Sequence, residues 1–485
     1  MSPRTLRLRR SPRNHFLKFG AELLPELLYQ IFALLAPTPS TLTGEESPDL
    51  WQMPVEQANL ARSMLVCKAW CSAIERALYR TVSLRFPKTC RQFARTLKRR
   101  LALGSLVRAI YFPCELLPVG EPIHHRLLRD KGRISRFFCK LNRQKLVQAV
   151  HSILDICIHV DVVDFHAGME IFRSYQHRSM IQSRIRACTV KVQIAPMAPS
   201  PAYYPCYYTQ EWSQAVLFNL VSPENSRWGQ LEVLRVHGYG SPTRMRHLLP
   251  VVLNQPPDIR GCFPNLRVLV LRDVLVNREQ LETVVLALAP VLRTLGLIRT
   301  ALCDGLPTWG RGSRYHPLAI LDSLPDNMLC KVEDIRVDYC TSYERWPDCS
   351  WERALTRWRS LTRLSLGVEV LRFFKFVPPT LNSITVYMVR PDGYIAQPLQ
   401  SLLATVNHLV VAMPTWKATA PDLRQLNLEA HDGPLTELPR WNIISLILRE
   451  LMKRLNILVA VNVAIAPVHI ARLRRCIASQ STMLH

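Results

Sequence analysis

The chain has 485 residues, 48% of them hydrophobic, and a formal net charge of +25 at pH 7. This hydrophobic fraction is sufficient for a large buried core and excludes a wholly disordered chain. The longest apolar stretches, such as residues 457–468, are shorter than the roughly 20 residues that a membrane-spanning helix needs, so we expect no membrane segment.

The cysteines and the first residues indicate an intracellular protein. Fourteen cysteines are scattered without a Cys-x-x-Cys pair, which supports neither a disulfide scaffold nor a zinc finger. The first ten residues contain four arginines and lack the apolar segment of a secretory signal, although such a start also fits a mitochondrial transit peptide. We therefore expect reduced thiols and a location in the cytoplasm, the nucleus or both.

The first predicted elements are two apolar helical stripes that follow a basic tail at 1–18, for which we expect disorder. In residues 23–35 leucine, isoleucine and phenylalanine recur three and four positions apart, and Pro25 suits a first helical turn. A second stripe covers 60–78, after a polar insertion at 37–59. On this pattern alone, the two stripes could also form a helical hairpin that caps a core.

The segment 19–84, which contains both stripes, resembles the F-box family. The resemblance rests on Leu-Pro-Glu-Leu-Leu at 24–28, Ile-Phe-Ala-Leu-Leu at 31–35 and Leu-Val-Cys-Lys-Ala-Trp at 65–70, and the insertion is longer than the family usually shows. It implies binding to the Skp-type adaptor of a cullin-RING ubiquitin ligase, and through the adaptor to the cullin. The apolar residues that it would place in the adaptor are Leu24, Pro25, Leu27, Ile31, Phe32, Leu35, Leu65, Val66 and Trp70.

Residues 85–150 carry the largest share of the net positive charge, with sixteen basic and three acidic side chains. We expect this segment to connect the helical domain to a repeat domain and to form its first turn. Its charge is typical of a surface that attracts polyanions, acidic proteins or phosphorylated proteins, although it also fits a merely solvated face. The candidate contacts to an anionic partner, including a phosphorylated target segment, are Arg91, Arg95, Lys98, Arg99 and Arg100.

A short motif, apolar-x-x-apolar-x-apolar, recurs through the predicted repeat domain at 151–440. Its final apolar-x-apolar pair has the period of a short strand, and helical stretches follow several copies, as at 279–288. Repeated strand–helix units are typical of a leucine-rich-repeat solenoid, although the spacing between these copies is irregular. The clear copies are 231–236, 266–271, 292–297, 332–337, 361–366, 381–386, 406–411 and 423–428, and weaker ones are 107–112, 160–165 and 187–192.

The fold class expected is therefore α/β: a short N-terminal helical F-box followed by an irregular leucine-rich-repeat solenoid, with parallel strands and with helices on the outer face. A doubly wound α/β domain is the competing architecture, but no Gly-rich nucleotide-binding turn is present. Further helices are expected at 244–254 and 398–406. Residues 441–485, which include a strand-like stretch at 457–465, are expected to form a C-terminal helical cap.

The sequence contains no recognisable catalytic motif. It has neither a phosphate-binding Gly-x-x-x-x-Gly-Lys loop nor a His-Glu-x-x-His metal motif, so neither a cofactor nor enzymatic activity is expected. Two hypotheses follow. The first is a substrate-recognition subunit of a Skp–cullin–F-box ubiquitin ligase, with a target protein of unknown identity. The second is a non-catalytic leucine-rich-repeat scaffold that binds nucleic acid or an acidic partner through 85–150.

Overall fold

The computed structural model describes twenty segments of the chain. The predicted tail at 1–18, residues 37–52 of the insertion and residues 465–485 of the predicted cap lie outside them. The described residues are 25–35, 53–65, 68–84, 87–112, 144–146, 148–165, 185–193, 229–239, 249–251, 259–272, 274–298, 300–303, 314–315, 320, 331–337, 358–367, 376–388, 398–431, 448–450 and 452–464.

Strands and helices alternate through the described residues. The strands are β1 (Thr81–Ser83), β2 (Ala109–Phe112), β3 (Val162–Phe165), β4 (Ala187–Gln193), β5 (Val233–Tyr239), β6 (Leu249–Val251), β7 (Val268–Arg272), β8 (Val274–Asn277), β9 (Thr294–Ile298), β10 (Ala301–Cys303), β11 (Arg314–Tyr315), β12 (Asp334–Val337), β13 (Arg363–Gly367), β14 (Ser383–Met388), β15 (Gln425–His431) and β16 (Leu458–Ala464). The helices are α1 (Pro25–Leu35), α2 (Met53–Ser63), α3 (Lys68–Arg80), α4 (Pro87–Arg99), α5 (Ile259–Cys262), α6 (Arg278–Leu288) and α7 (Pro398–Thr419). A 3-10 helix, Leu101–Leu106, follows α4, and helical segments at 144–146 and 148–156 precede β3.

Twelve of these strands form one open, all-parallel sheet. Their order is β1-β2-β3-β4-β5-β7-β9-β12-β13-β14-β15-β16, so the strands follow each other across the sheet as they do along the chain. The α/β class with parallel strands is thus confirmed, and the arrangement is solenoid-like. A second sheet, with the order β11-β10-β8-β6, is formed by four short strands that the sequence motif does not predict.

The core of the large sheet is built on one column of apolar residues. In the register of the sheet, Ile110 pairs with Val163, which pairs with Cys188, and the column continues to Val459 in β16. Helices cover this same face, because apolar residues of α4, α6 and α7 belong to the same buried cluster. Full burial of a Val, Leu or Ile side chain contributes about 1.5–3 kcal/mol to the stability of the fold, relative to leaving it exposed. The column is Ile110, Val163, Cys188, Leu234, Leu269, Leu295, Ile335, Leu364, Ile384, Leu426 and Val459.

Seven of the eight clear motif copies coincide with strands of this sheet, and the copy at 406–411 is wrong. It lies inside α7. Leu409, Met413 and Trp416 are buried at spacings of four and three, so the helical period determines the structure there although the three valines of the copy favour a strand. The weaker copy at 187–192 is a strand in a different register, because Val190 pairs with Val236 rather than with Leu234.

Three other boundaries differ from those predicted. β16 joins the large sheet beside β15, so the sheet continues into the predicted helical cap at 441–485. The helix predicted at 244–254 is wrong where residues are described, since β6 occupies Leu249–Val251. The helix α2 begins at Met53, so part of the predicted insertion at 37–59 is helical.

The backbone just before each strand links neighbouring units. The carbonyl of Arg186 accepts from the amides of Glu232 (2.8 Å) and Val233 (3.0 Å), and the carbonyl of Arg293 accepts from Glu333 (2.8 Å) and Asp334 (3.1 Å). The same double acceptance occurs at every step of the large sheet from β2 to β15, and we call it the carbonyl ladder. It fixes the register of adjacent strands although the segments between them differ greatly in length.

The cysteines in the described residues provide a test of this packing. Cys90, Cys157, Cys188 and Cys262 are buried, whereas Cys71 is partly exposed. Burial raises the pKa of both Cys90 and Cys157 to about 12, so their reactive thiolate form is scarce near neutral pH. We expect iodoacetamide at about pH 8 to modify Cys71 and to spare the four buried thiols until the chain is denatured. Mass spectrometry of the labelled peptides measures this, and rapid native labelling of Cys90 would contradict the packing of α4.

Candidate protein-binding surfaces

The helices α1, α2 and α3 form a small core of their own. Leu28 and Phe32 lie four residues apart on one side of α1, and both are buried against residues of the other two helices. The ring of Trp70 packs edge-on against Phe32 with the centroids 5.2 Å apart. The buried residues of this helical cluster are Leu28, Phe32, Leu60, Ala73, Ile74 and Ala77.

Three large apolar side chains of the helical cluster remain exposed. Leu27 and Ile31 are each 44% exposed, and their spacing of four places them side by side on α1. Leu65, in the turn after α2, is 86% exposed. They are three of nine large hydrophobic side chains that the described residues leave exposed. Adjacent apolar side chains at a surface form a patch that can serve as a protein contact.

The structure divides the predicted adaptor contacts into two groups. Leu27, Ile31 and Leu65 are at the surface, where a partner can reach them. Phe32, 4% exposed, and the half-buried Trp70 stabilise the helical cluster from within. Pro25 and Leu35 are the first and last residues of α1, and their side chains lie outside the description, as do residues 24 and 66 entirely.

The helix α4 separates apolar and basic side chains onto opposite faces. Cys90, Ala94 and Leu97 are buried in the main core. The basic residues fall on the other side, because spacings of three and four bring them onto one helical face. These residues, which we call the basic face, are Lys88, Arg91, Arg95, Lys98 and Arg99. Lys88 was missed by the sequence-based selection, although its position three residues before Arg91 marks it as a member.

Arg100, predicted among the anion contacts, is already engaged by a carboxylate. Its guanidinium Nη1 lies 2.8 Å from Glu75 Oε1, and its Nη2 donates to Oε2 at 3.1 Å. The hydrogen bonds and the charge of Glu75 raise the pKa of Arg100. This two-pronged contact joins the end of α4 to the middle of α3. Arg100 therefore positions the basic face, whose exposed cations are Lys88, Arg95, Lys98 and Arg99.

The sheet face opposite the helices has an apolar part and a polar part. From β2 to β9 it buries a second apolar cluster that includes Ala109, Tyr111 and Val233. From β12 to β15 the same face carries charged and polar residues, among them Asp334, Thr385 and Gln425. Burial and the neighbouring carboxylate of Asp164 raise the pKa of Tyr111, so this phenol stays neutral.

The charged centre of the polar part is Asp334. Its Oδ2 accepts from Arg336 Nη2 at 2.8 Å and from Arg336 Nε at 3.1 Å, and it lies 3.3 Å from Arg363 Nη2. The sequence-based selection missed Asp334 and Arg336. Alternation along β12 would have indicated both, because Ile335 and Val337 face the core.

On β15 the polar part contains two hydrogen-bonded amide side chains, Gln425 and Asn427. Gln425 Nε2 donates to Asn427 Oδ1 at 2.9 Å, and Asn427 Nδ2 donates to Thr385 Oγ1 at 3.2 Å. The first contact lies within β15, and the second crosses from β15 to β14 on the face away from the helices. They leave a surface suited to hydrogen bonding with a protein partner.

Neither a membrane helix nor a metal centre is found in the part of the chain that the structure describes. No described helix combines the length and apolar character required to cross a bilayer. No group of three or more His, Cys, Asp or Glu side chains among the described residues is placed to hold a metal ion. Comparison of the chain with protein-family models and with curated proteins gave no match.

Proposed function

We propose that the chain is the substrate-recognition subunit of a Skp–cullin–F-box ubiquitin ligase. The observation that carries the proposal is the exposed Leu27–Ile31 pair on α1, in a segment that resembles the F-box. In this role α1 binds the Skp-type adaptor, which connects the chain to the cullin, and the repeat domain, an irregular leucine-rich-repeat solenoid, binds the target protein.

The way the helical cluster joins the sheet supports this division of roles. The helix α3 ends at Arg80, and β1 begins at Thr81, so no flexible linker separates the adaptor-binding end from the sheet. Phe32 and Trp70 hold α1 in place from the inside, which leaves Leu27 and Ile31 directed outward. A rigid connection of this kind would hold a bound target at a fixed position relative to the ligase.

The chain supplies no reacting group in this mechanism. Ubiquitin transfer is carried out by a separate ubiquitin-loaded enzyme, and the chain raises the rate by holding the target lysine close to it. Fixing two reactants in one assembly replaces an encounter in solution and can lower the reaction barrier by several kcal/mol. The requirement on this protein is therefore stable binding at two surfaces at once.

The test is binding of the purified full chain to a purified Skp-type adaptor by isothermal titration calorimetry. The double substitution Leu27→Gln and Ile31→Gln is expected to weaken binding at least about thirtyfold, because it removes two adjacent apolar contacts from the centre of the interface. Glutamine favours helix nearly as well as leucine, so α1 itself should persist.

The matched control is the pair Leu286→Gln and Val411→Gln, which changes two exposed apolar residues on other helices. This variant should bind the adaptor like the unmodified chain, and circular dichroism should show equal helix content in all three proteins. The proposal is wrong if the unmodified chain does not bind the adaptor, or if the α1 variant binds it at full strength.

A further inference from the structure

The basic face of α4 is a concentrated positive surface that the fold holds in a fixed orientation. Its opposite side is buried in the main core through Cys90, Ala94 and Leu97. Its C-terminal end is tied to α3 by the contact between Arg100 and Glu75. The helix therefore cannot rotate its cations toward the core, and Lys88, Arg95, Lys98 and Arg99 are exposed.

Most cations of this face have no carboxylate partner in the described structure. Lys88, Arg95, Lys98 and Arg99 are exposed and form no ion pair with any described residue. Elsewhere the chain does pair its arginines, as in Arg186–Glu232 at 2.6 Å and Arg278–Glu282 at 2.8 Å. The helix contains no acidic residue that could neutralise the face. Like charges at neighbouring positions on a helix repel, so this arrangement lowers the stability of α4 unless an anion binds.

We propose that the basic face of α4 binds an acidic, extended segment of a partner protein. From Lys88 to Arg99 the helix rises about 16 Å, which an extended peptide spans with about five residues. Alternate acidic side chains of such a segment would point toward the helix and meet successive cations. The surface acts independently of adaptor binding, so it goes beyond the proposed function and does not rest on it.

The side chains around the cations favour a protein segment over a nucleic acid. The aromatic residue of α4, Phe93, is turned inward and stacks on Tyr79 with ring centroids 6.1 Å apart. No exposed aromatic ring of α4 is therefore present to stack on bases, which is how proteins commonly hold single strands. Charge alone attracts both kinds of partner, so the experiment must compare them.

Binding is measured by fluorescence anisotropy of the full chain with a labelled peptide of alternating glutamate and glycine, about twelve residues long. A peptide with glutamine in place of glutamate serves as the neutral probe. We expect the unmodified chain to bind the acidic peptide, to ignore the neutral one, and to lose affinity as salt is added. Reversal of the face by Lys88→Glu, Arg95→Glu, Lys98→Glu and Arg99→Glu should weaken binding about tenfold or more.

The control reverses four exposed arginines outside α4, by Arg260→Glu, Arg359→Glu, Arg449→Glu and Arg454→Glu. Both variants have the same net charge. If the basic face is the binding site, only the α4 variant should bind the acidic peptide more weakly. Equal loss in both variants, or no binding by the unmodified chain, would overturn the proposal. So would tighter binding of single-stranded or duplex DNA that depends on the same four residues of α4. Adaptor binding measured in parallel should be unchanged in the α4 variant, which separates this proposal from the previous one.

Discussion

Replacement of Asp334 by Ala is expected to lower the free energy of unfolding by about 3–5 kcal/mol. Asp334 is 1% exposed and holds Arg336 through two hydrogen bonds to one carboxylate oxygen. Its removal takes away the carboxylate that lies 2.8 Å from the guanidinium of Arg336, which is itself largely buried. Removal of one member of a buried ion pair lowers the free energy of unfolding by more than the intact pair contributes to it. This difference accounts for the size of the expected effect.

Two further variants show whether the effect comes from this charge. Asp334→Asn retains the shape of the side chain and one acceptor oxygen, so it should lower the free energy of unfolding less than the Ala variant does. Arg363→Ala removes a cation that is about half exposed, so it should cost no more than about 1 kcal/mol. Urea unfolding followed by circular dichroism measures all three. An Ala variant as stable as the unmodified chain would show that Arg336 does not depend on Asp334.

Trp358→Ala should destabilise the fold by a similar amount, about 3–5 kcal/mol, because it removes the largest kind of side chain from a fully buried position. Trp358 belongs to the main core, next to Leu361 at the start of a repeat unit. The surrounding sheet and helices can close only part of the resulting cavity.

The variant Trp358→Phe isolates the polar part of that side chain. The indole N–H of Trp358 has no hydrogen-bond acceptor among the described residues, so its desolvation is not compensated there. Phenylalanine keeps most of the apolar volume and has no such donor. We expect the Phe variant to lower the free energy of unfolding clearly less than the Ala variant does in the same urea experiment. Equal losses in the two variants would contradict this explanation.

The strands were predictable where one face of the sheet is uniformly apolar. In the copy at 266–271, for example, Leu269 and Leu271 face the helices, and the motif records this period of two directly. The sequence could not show where each strand pairs, because parallel neighbours are separated by segments of very different length. The order of the twelve strands and the membership of β16 therefore required the structure.

The motif failed where two periods compete within one segment. Residues 406–411 contain apolar residues at strand spacing, but Leu409, Met413 and Trp416 extend a helical stripe beyond the motif. The longer stripe buries more apolar area, so the helix is preferred. The six-residue motif ends at residue 411, so it cannot include Met413 and Trp416.

For the binding surfaces, the sequence identified the residue types but not their direction. It selected Phe32 together with Ile31, although adjacent positions on a helix face different sides, and only Ile31 is at the surface. It selected Arg100 with Arg99, but Glu75 is far away in the sequence and only the fold brings it to Arg100. Contacts over such separations carry no local signal.

The carbonyl ladder also has a mechanical consequence. Because each unit is bonded chiefly to its two neighbours, a molecule stretched from its two ends would not shear as one block, and strands would detach singly from the end of the sheet. Every detachment would release the segment stored between two strands, and these segments are unequal, as the starts of β13, β14 and β15 at residues 363, 383 and 425 show. The extension would therefore proceed in steps of different size, and their order would reproduce the order of the strands.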